Sequence, residues 1–452
     1  MYTRITQEFI DFAMKNPTPF HVVDAFSKDL ADHGFAELSE YDPWTLEAGG
    51  QYLVKRNNSS LIAFKVPKKD VTGLSMVAAH TDSPAIKIKG MQAEMAEGSY
   101  LKLNVECYGG LLMATWFDRP LSLAGRTMVK EKGKLVEKLV KIDRDLLVIP
   151  SVAIHMNRDA NKGIDYNPQK DLLPLFSMVD STQGKAGSSA AAKSSNSSKL
   201  AEIISKELKT KPENIISCDL YLYDRTPGTI WGAENEFFSV QHIDDLQCAY
   251  SGIEGIKKAK VGKDQTSVPI LALFDNEEVG SGTKQGADST FLQDVIDRVF
   301  EALGYSKQKQ GAIIANSLMV SADNAHAVHP NHPEYHDPVN KPVMNNGIVI
   351  KHAANQHYTT DSVSAALFIE ICNQAKVPYQ EFYNRSDKPG GSTLGNISNA
   401  HISLNSVDIG LPQLAMHSCY ETAGVKDTKY LVDAFETFFS KTLSFKDGYQ
   451  FK

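Results

Sequence analysis

Five short runs carry side chains that can hold and use a cation: HTDSP at 80–84, IDD at 243–245, FDNEEVGS at 274–281, SADNAH at 321–326 and QLAMHS at 413–418. Imidazole and carboxylate are the ligands of an open, catalytic zinc site, where a coordination position is left for water or substrate. The adjacent Glu277 and Glu278 are the most informative pair. Two carboxylates at the end of an apolar strand repel one another unless a cation neutralises one, and the second can then act as general base on a neighbouring water. In HTDSP the His and Asp lie two apart, which on a regular strand turns them to the same side, so that Asp82 can accept a hydrogen bond from His80 while the ring binds metal. Asp244 precedes a helical pattern, where it serves either as an N-cap or as a ligand shared by two cations. Asp323 carries the same alternative. His326, His329, His332 and His336 crowd a proline-bearing loop without HExxH-like spacing and read as hydrogen-bonding loop residues. Together the runs read as a metal-dependent hydrolase.

Such side chains need a frame that brings them to one place. The apolar run Leu74–Ala79 leads directly into His80, Pro269–Phe274 into the paired glutamates and Ser317–Ser321 into Asp323, while Leu61–Lys65 is a further β-prone stretch. Continuous apolar runs of this kind belong to strands buried on both faces. Helical spacing appears at Phe20–His33, after Thr18-Pro19 and before Gly34, and again at Asp245–Ala259, Phe291–Leu303, Ser362–Gln374 and Thr428–Leu443. Alternating strand and helix predicts an α/β fold with a mainly parallel sheet flanked by helices, in which loops at the carboxyl ends of strands form the site. From Gly90 to Trp231 the pattern changes to short β-like stretches (Tyr100–Cys107, Gly125–Val129, Lys134–Leu139, Leu146–Ile149) with no metal motif. An inserted β-rich second domain is therefore predicted at 90–231, interrupting a catalytic domain made of 1–89 and 232–452. Its Ser/Ala/Gly/Lys tract at 180–198 has little to bury and is predicted as a surface loop.

Bulk properties narrow the function classes. A chain of 452 residues with 42% apolar content can bury more than one core. A net charge of −7 and a pI near 6.0 argue against nucleic acid as a partner. Five scattered cysteines without a CxxC pair suit a reducing compartment and supply neither a disulfide framework nor a thiolate zinc site. No stretch sustains the ~18 apolar residues of a membrane span, and the first residues carry charges within their apolar run. The expected location is the cytoplasm, with no membrane partner.

HTDSP, IDD, FDNEEVGS, SADNAHAVHPN and GLPQLAMHS occur in the order seen in aspartyl aminopeptidases, which this chain resembles over essentially its whole length. The resemblance implies a zinc peptidase-like catalytic domain with an inserted oligomerisation or lid domain, and two zinc ions per subunit, with cobalt or manganese as possible substitutes. By the same resemblance His80 and Asp323 bind one ion, Glu278 and His417 the other, and Asp244 bridges them. Glu277 is then the general base and Asp82 the residue that orients His80. The implied reaction removes the N-terminal residue of peptides with a free N-terminus, preferring Asp or Glu. VAIHMNRD resembles a loop that reaches a neighbouring subunit's site, making His155 a candidate substrate contact in trans. NNGIVIKHAANQHY resembles the pocket-forming stretch, with Lys351 as candidate partner for an acidic side chain and Tyr358 as a lining residue. GGSTLGN resembles a glycine-rich turn beside the site and lacks the GxxxxGK[ST] of a phosphate loop. The implied assembly is a homododecamer built from dimers.

Two stretches depart from the family pattern: IDD replaces the common LDN, which adds Asp245, and KPGGSTLGNIS replaces the pattern around GTTIGP. Two other readings compete with the aminopeptidase. A metal-dependent deacylase or carboxypeptidase would use the same cluster on N-acyl substrates, but the long insert favours the aminopeptidase. A catalytically silent scaffold would have no chemical reason to keep Glu277, Glu278, His80 and His417.

Overall fold

A computed structural model describes residues 1–179, 190–388, 390–391 and 393–452. The chain divides into two compact units, one formed by Met1–Ser83, Gly228–Met416 and Glu421–Lys452, the other by Pro84–Pro227 with His417–Tyr420. The second unit thus starts ahead of the predicted Gly90 and ends before the predicted Trp231. Strand pairing explains both shifts: Ala85–Ala96 already pairs with Tyr100–Tyr108, whereas Thr229–Trp231 pairs with Phe237–Val240 of the first unit.

Among the described residues the first unit holds a nine-stranded sheet in the spatial order Ala36–Leu38, Gln51–Arg56, Ser60–Lys65, Ser267–Phe274, Gly73–His80, Leu318–Ala322, Asn405–Gly410, Ile348–His352, Tyr379–Tyr383. Its central four strands, Ser267–Phe274 to Asn405–Gly410, are mutually parallel. Their register aligns the chemistry, because Phe274 pairs with His80 and Ser321 with Ala78. Asp323, two residues beyond Ser321, therefore leaves the sheet at the level of His80. Both faces are covered, as continuous apolar strands require. Val77 and Ala79 pack on one side with Phe9, Phe26, Ile253, Phe368 and Phe435, whereas Met76 and Ala78 pack on the other with Phe291, Phe300, Ile313 and Leu394. The side-chain period of two sends alternate residues to opposite faces. A smaller five-stranded sheet in the same unit carries Pro412–Leu414 and Glu421–Gly424. The fold is mixed α/β.

The second unit contains a six-stranded antiparallel sheet among its described residues, in the order Lys134–Lys141, Leu121–Glu131, Ile215–Asp224, Ala85–Ala96, Tyr100–Tyr108, Leu175–Met178. Within 146–149, residues 147–149 make isolated bridges rather than the predicted strand. Residues 180–189 of the predicted loop lie outside the described residues, and from Ala190 the chain is helical to Glu207 instead of looped. Leu200 and Ile204, one helical turn apart, are fully buried and hold that helix, and alanine favours helix where a compositional reading sees only a tract with nothing to bury. GGSTLGN likewise leads into a helix, Leu394–His401; Pro389 and Ser392 lie outside the described residues. The predicted helix to Leu443 ends at Phe439, and Leu443–Ser444 pairs with Gln450–Phe451. The opening segment, read only for the absence of a leader, is the helix Tyr2–Lys15, which buries Ile5, Phe9, Ile10 and Ala13 at helical spacing.

At Gly410 the sheet passes close to the main chain of Asp323. A Cβ there would lie 2.0 Å from the main-chain oxygen of Asp323 and 2.9 Å from the carbonyl carbon of Asn324. Gly410→Ala must push the Asp323 main chain away. The expected result is a loss of about 1–3 kcal/mol in urea unfolding together with reduced zinc content. Wild-type values for both would show that the crossing tolerates a methyl group.

Candidate metal centre and active site

His80 is the last residue of its strand and is buried. Its Nδ1 lies 3.0 Å from the main-chain oxygen of Asp82, and its Nε2 lies 3.6 Å from Asp244 Oδ1. A carbonyl only accepts, so Nδ1 carries a proton and Nε2 is the nitrogen available to a metal. Because the strand ends at His80, Asp82 sits beyond the regular pleat. Its Oδ1 is 3.4 Å from Nδ1, and its carboxylate accepts the main-chain N–H of Glu277 at 3.1 Å and of Glu278 at 3.2 Å. Asp82 therefore steadies the imidazole mainly through its backbone and pins the glutamate turn through its side chain. Asn276 opens that turn in the left-handed region at φ 65°, where its side-chain oxygen accepts from Thr283 Oγ1 and Gln285 Nε2, each at 2.8 Å.

Asp244 lies in the kink that opens the helix Ile243–Lys258, with the non-helical angles φ −81°, ψ 112°. Its N–H donates to Glu421 Oε2 at 3.0 Å, and its carbonyl accepts from Ser83 Oγ at 2.8 Å. A buried polar chain then leads across to Asp323. Gln413 Nε2 donates to Glu421 Oε1 at 3.1 Å, Asn324 Nδ2 donates to Gln413 Oε1 at 2.5 Å and to Gln247 Oε1 at 3.1 Å, and Lys351 Nζ donates to the Asn324 carbonyl at 2.8 Å. Lys351 is only 3% exposed, with its ammonium 3.7 Å from Asp323 Oδ1 and 5.5 Å from the centre of the Tyr358 ring. Next to Tyr358, the Thr359 N–H and hydroxyl both donate to Asp408 Oδ2. Asp245 turns inward, where its Oδ2 accepts the His80 N–H at 3.2 Å. Glu421, Gln413, Asn324 and Gln247 carry no local signature. Apart from the Gln413–Glu421 pair, eight residues apart, the bonds Asp244–Glu421, Asn324–Gln413 and Asn324–Gln247 span 177, 89 and 77 residues, so only the fold reveals them.

Of the remaining predicted residues, His417 belongs to the four-residue stretch grouped with the second unit. There its Nδ1 faces the Gly110 carbonyl at 2.8 Å and its own carbonyl accepts from Leu112 N at 2.9 Å. His155 lies on an exposed turn of the second unit. In the histidine-rich loop, His332 Nδ1 meets Glu334 at 3.0 Å and His336 Nε2 meets the His326 carbonyl at 3.4 Å. Among the described residues none of the loop histidines His326, His329, His332 and His336 joins a candidate metal group.

The electrostatics call for a cation. Burial pushes the Glu277 carboxyl up to about 8; His80 opposes the shift, and the nearby Asp323, Asp82 and Asp244 add to it. Burial likewise raises Asp323 and Asp245. For His80 burial works against the charged ring, but hydrogen bonds to Asp244 and Asp82 and the charge of Asp245 outweigh it, so its pKa is raised well above the ordinary value. One ligand atom each from His80, Asp244 and Asp323 lie within 4.8 Å of one another, and the same holds for His80, Glu277 and Glu278. Nitrogen and oxygen donors without thiolate, crowded with unneutralised acid, fit zinc. Chelator treatment is expected to lower the melting temperature and added zinc to restore it, measured by calorimetry with zinc determined by elemental analysis. Asp244→Asn should bind less zinc and recover less. Full recovery in that variant would mean that the cation is held elsewhere.

The family model for aminopeptidase I zinc metalloprotease (M18) matches residues 12–439. A Clostridium acetobutylicum relative named probable M18 family aminopeptidase 2 is 45% identical over 438 residues, which cover 96% of this chain and 98% of the relative. A chain in the cryo-EM structure of the Ape4 and Nbr1 complex superposes with a TM-score of 0.91 at 37% identity, covering 97% of this chain and 86% of that one. The mApe1 dodecamer of S. cerevisiae gives a TM-score of 0.83 at 30% identity, covering 97% of each chain. Chain-long agreement in sequence and fold, together with a buried His and carboxylate cluster at the strand ends, establishes a metal-dependent peptide hydrolase: the chain belongs to the M18 aminopeptidase family of zinc metalloproteases.

Proposed function

We propose that this aminopeptidase removes N-terminal Asp or Glu in preference to other residues, using two zinc ions held by His80 and Asp323, by Glu278 and His417, and by Asp244 between them. The observation that carries this reading is the placement of Glu277, a largely buried carboxylate beside the ligand cluster whose main chain is fixed by Asp82. Zinc, when bound, supplies Lewis acidity that acidifies a water and polarises the scissile carbonyl. Glu277 takes the proton from the attacking water and delivers it to the leaving amine nitrogen, which cannot depart without it. Asp82 keeps that carboxylate in reach throughout, and the Asp82 carbonyl keeps His80 in the tautomer that presents Nε2. The oxygen-rich ligand set also suits cobalt or manganese.

Lys351 is the proposed partner of the acidic substrate side chain, with Tyr358 lining the pocket beneath it. The exposed turn around His155 supports assembly, because Val152, Ile154 and Met156 leave 62%, 47% and 84% of their surface in water. Apolar side chains clustered in this way mark an interaction surface. The proposed state is a homododecamer built from dimers, as in the mApe1 dodecamer, with His155 contacting substrate in a neighbouring subunit. Five free cysteines support a cytoplasmic location. Among the described residues no helix is long and apolar enough to cross a membrane.

Glu277→Gln is expected to keep its zinc while kcat falls ~10²- to 10⁴-fold, and near-normal turnover would remove Glu277 from the mechanism. In a panel of Asp-, Glu-, Leu- and N-acetyl-Asp-amides, the first two should be preferred and the acetylated compound inert. Preferential cleavage of the acetylated compound would instead identify a deacylase. Lys351→Met should lower the Asp-to-Leu ratio of kcat/KM roughly 30-fold or more, the consequence of losing a desolvated charge pair. Equal losses on both substrates would assign Lys351 to holding Asp323 rather than to specificity.

A further inference from the structure

The parallel strands have a second end, and a cavity of about 1020 Å³ lies there, lined by Lys260, Lys263, Lys446, Gln265, Leu443 and Phe445 among others. Thr72 and Thr266, which also line it, immediately precede the strands Gly73–His80 and Ser267–Phe274. The strand from Gly73 to His80 separates it from the metal cluster by roughly 20 Å at ~3.3 Å per residue.

Two features of its wall point to one kind of ligand. The first is charge: Lys260, Lys263, Lys446 and Lys452 all line it, in a chain whose net charge is −7. The Asp264 carboxylate, which lines the same cavity, is engaged by Lys69 at 2.5 Å, and among the described residues no carboxylate pairs with Lys260, Lys263 or Lys446. The second is an apolar surface, Leu443 and Phe445, held in place by hydrogen bonds from Leu443 N to Ser267 Oγ at 2.9 Å and from Phe445 N to Asn316 Oδ1 at 2.7 Å.

We propose that this cavity binds an organic phosphate whose charged oxygens lie among Lys260, Lys263 and Lys446 and whose body packs on Leu443 and Phe445. Lysine ammonium groups bind phosphate as compact point charges, and several converging on one cavity favour a multiply charged anion over a single carboxylate. The site is independent of the metal centre.

The zinc-loaded, full-length enzyme is titrated calorimetrically with ATP, pyrophosphate and citrate, alongside Lys260→Met/Lys263→Met/Lys446→Met. Circular dichroism and melting temperature first establish that this variant is folded, and Lys446→Met alone serves as a milder second variant. ATP and pyrophosphate are expected to bind the wild type, ATP more tightly through its apolar body. The triple variant should bind both roughly 10- to 100-fold more weakly, the sum of three exposed charge contacts. Salt should weaken binding in the wild type more than in the variant, and kcat/KM on an Asp-peptide should not change. Chelation of zinc by the phosphates affects wild type and variant alike, so the difference between them reports this site. Absence of ATP and pyrophosphate binding at millimolar concentration, or equal affinity in wild type and triple variant, overturns the proposal. Citrate binding as tightly as ATP overturns its assignment to phosphate.

Discussion

Carboxylates withdrawn from water next to one another must be neutralised, and much of the catalytic unit is arranged around that requirement. Asp82, Asp244, Asp245 and Asp323 are all buried, with Glu277 and Glu278 partly so. Each ionised group costs several kcal/mol to desolvate, and close like charges raise the cost further. The protein answers at three levels. Backbone amides of Glu277 and Glu278 point at Asp82; the Lys351 ammonium stands beside Asp323; and a divalent metal, when bound, supplies the charge that these groups do not. Removal of any one level leaves the others holding more acid than they can offset.

The sheet makes the crowding possible. Parallel strands end at a common edge, and the register of Phe274 with His80 and of Ser321 with Ala78 sets three loops that carry candidate ligands at one level. That edge is rigid because both faces of the strands are packed with aromatic and branched side chains. The polar chain from Glu421 through Gln413 and Asn324 to Lys351 performs the same service, tying the Asp244 main chain to the Asp323–Asn324 segment through buried hydrogen bonds. Every member has a partner in the others. Such a network fixes geometry in a way that apolar packing alone does not.

What could be read in advance follows the range of each interaction. The strands ending at His80, Phe274 and Ala322 announced themselves through unbroken apolar runs, and the paired glutamates through their mutual repulsion, because both signals are local. The dual use of Asp82 was hidden. Its distance from His80 suggested a shared strand face, but the strand stops at His80, and the partners of its carboxylate lie 195 and 196 residues away. Resemblance alone marks Lys351 as a partner for an acidic side chain, and only the fold shows its ammonium bonded to the Asn324 carbonyl. The helix Ala190–Glu207 escaped for the opposite reason: a Ser/Ala tract looks incapable of burial until Leu200 and Ile204 find a partner surface.

Asp245 shows how a local departure can be absorbed without altering the ligand set. Its Oδ2 accepts the main-chain N–H of His80, a bond that the amide oxygen of asparagine would make equally well. The extra acid is therefore not needed to hold His80. What it changes is charge, adding a fully buried carboxyl whose ionisation burial opposes and the His80 ring favours. A cation next door favours that ionisation further, and the ionised carboxylate in turn favours the cation, since the two are linked through one electrostatic free energy. Asp245 thus adds charge that favours a cation from behind His80, beside the candidate ligand atoms of His80, Asp244 and Asp323.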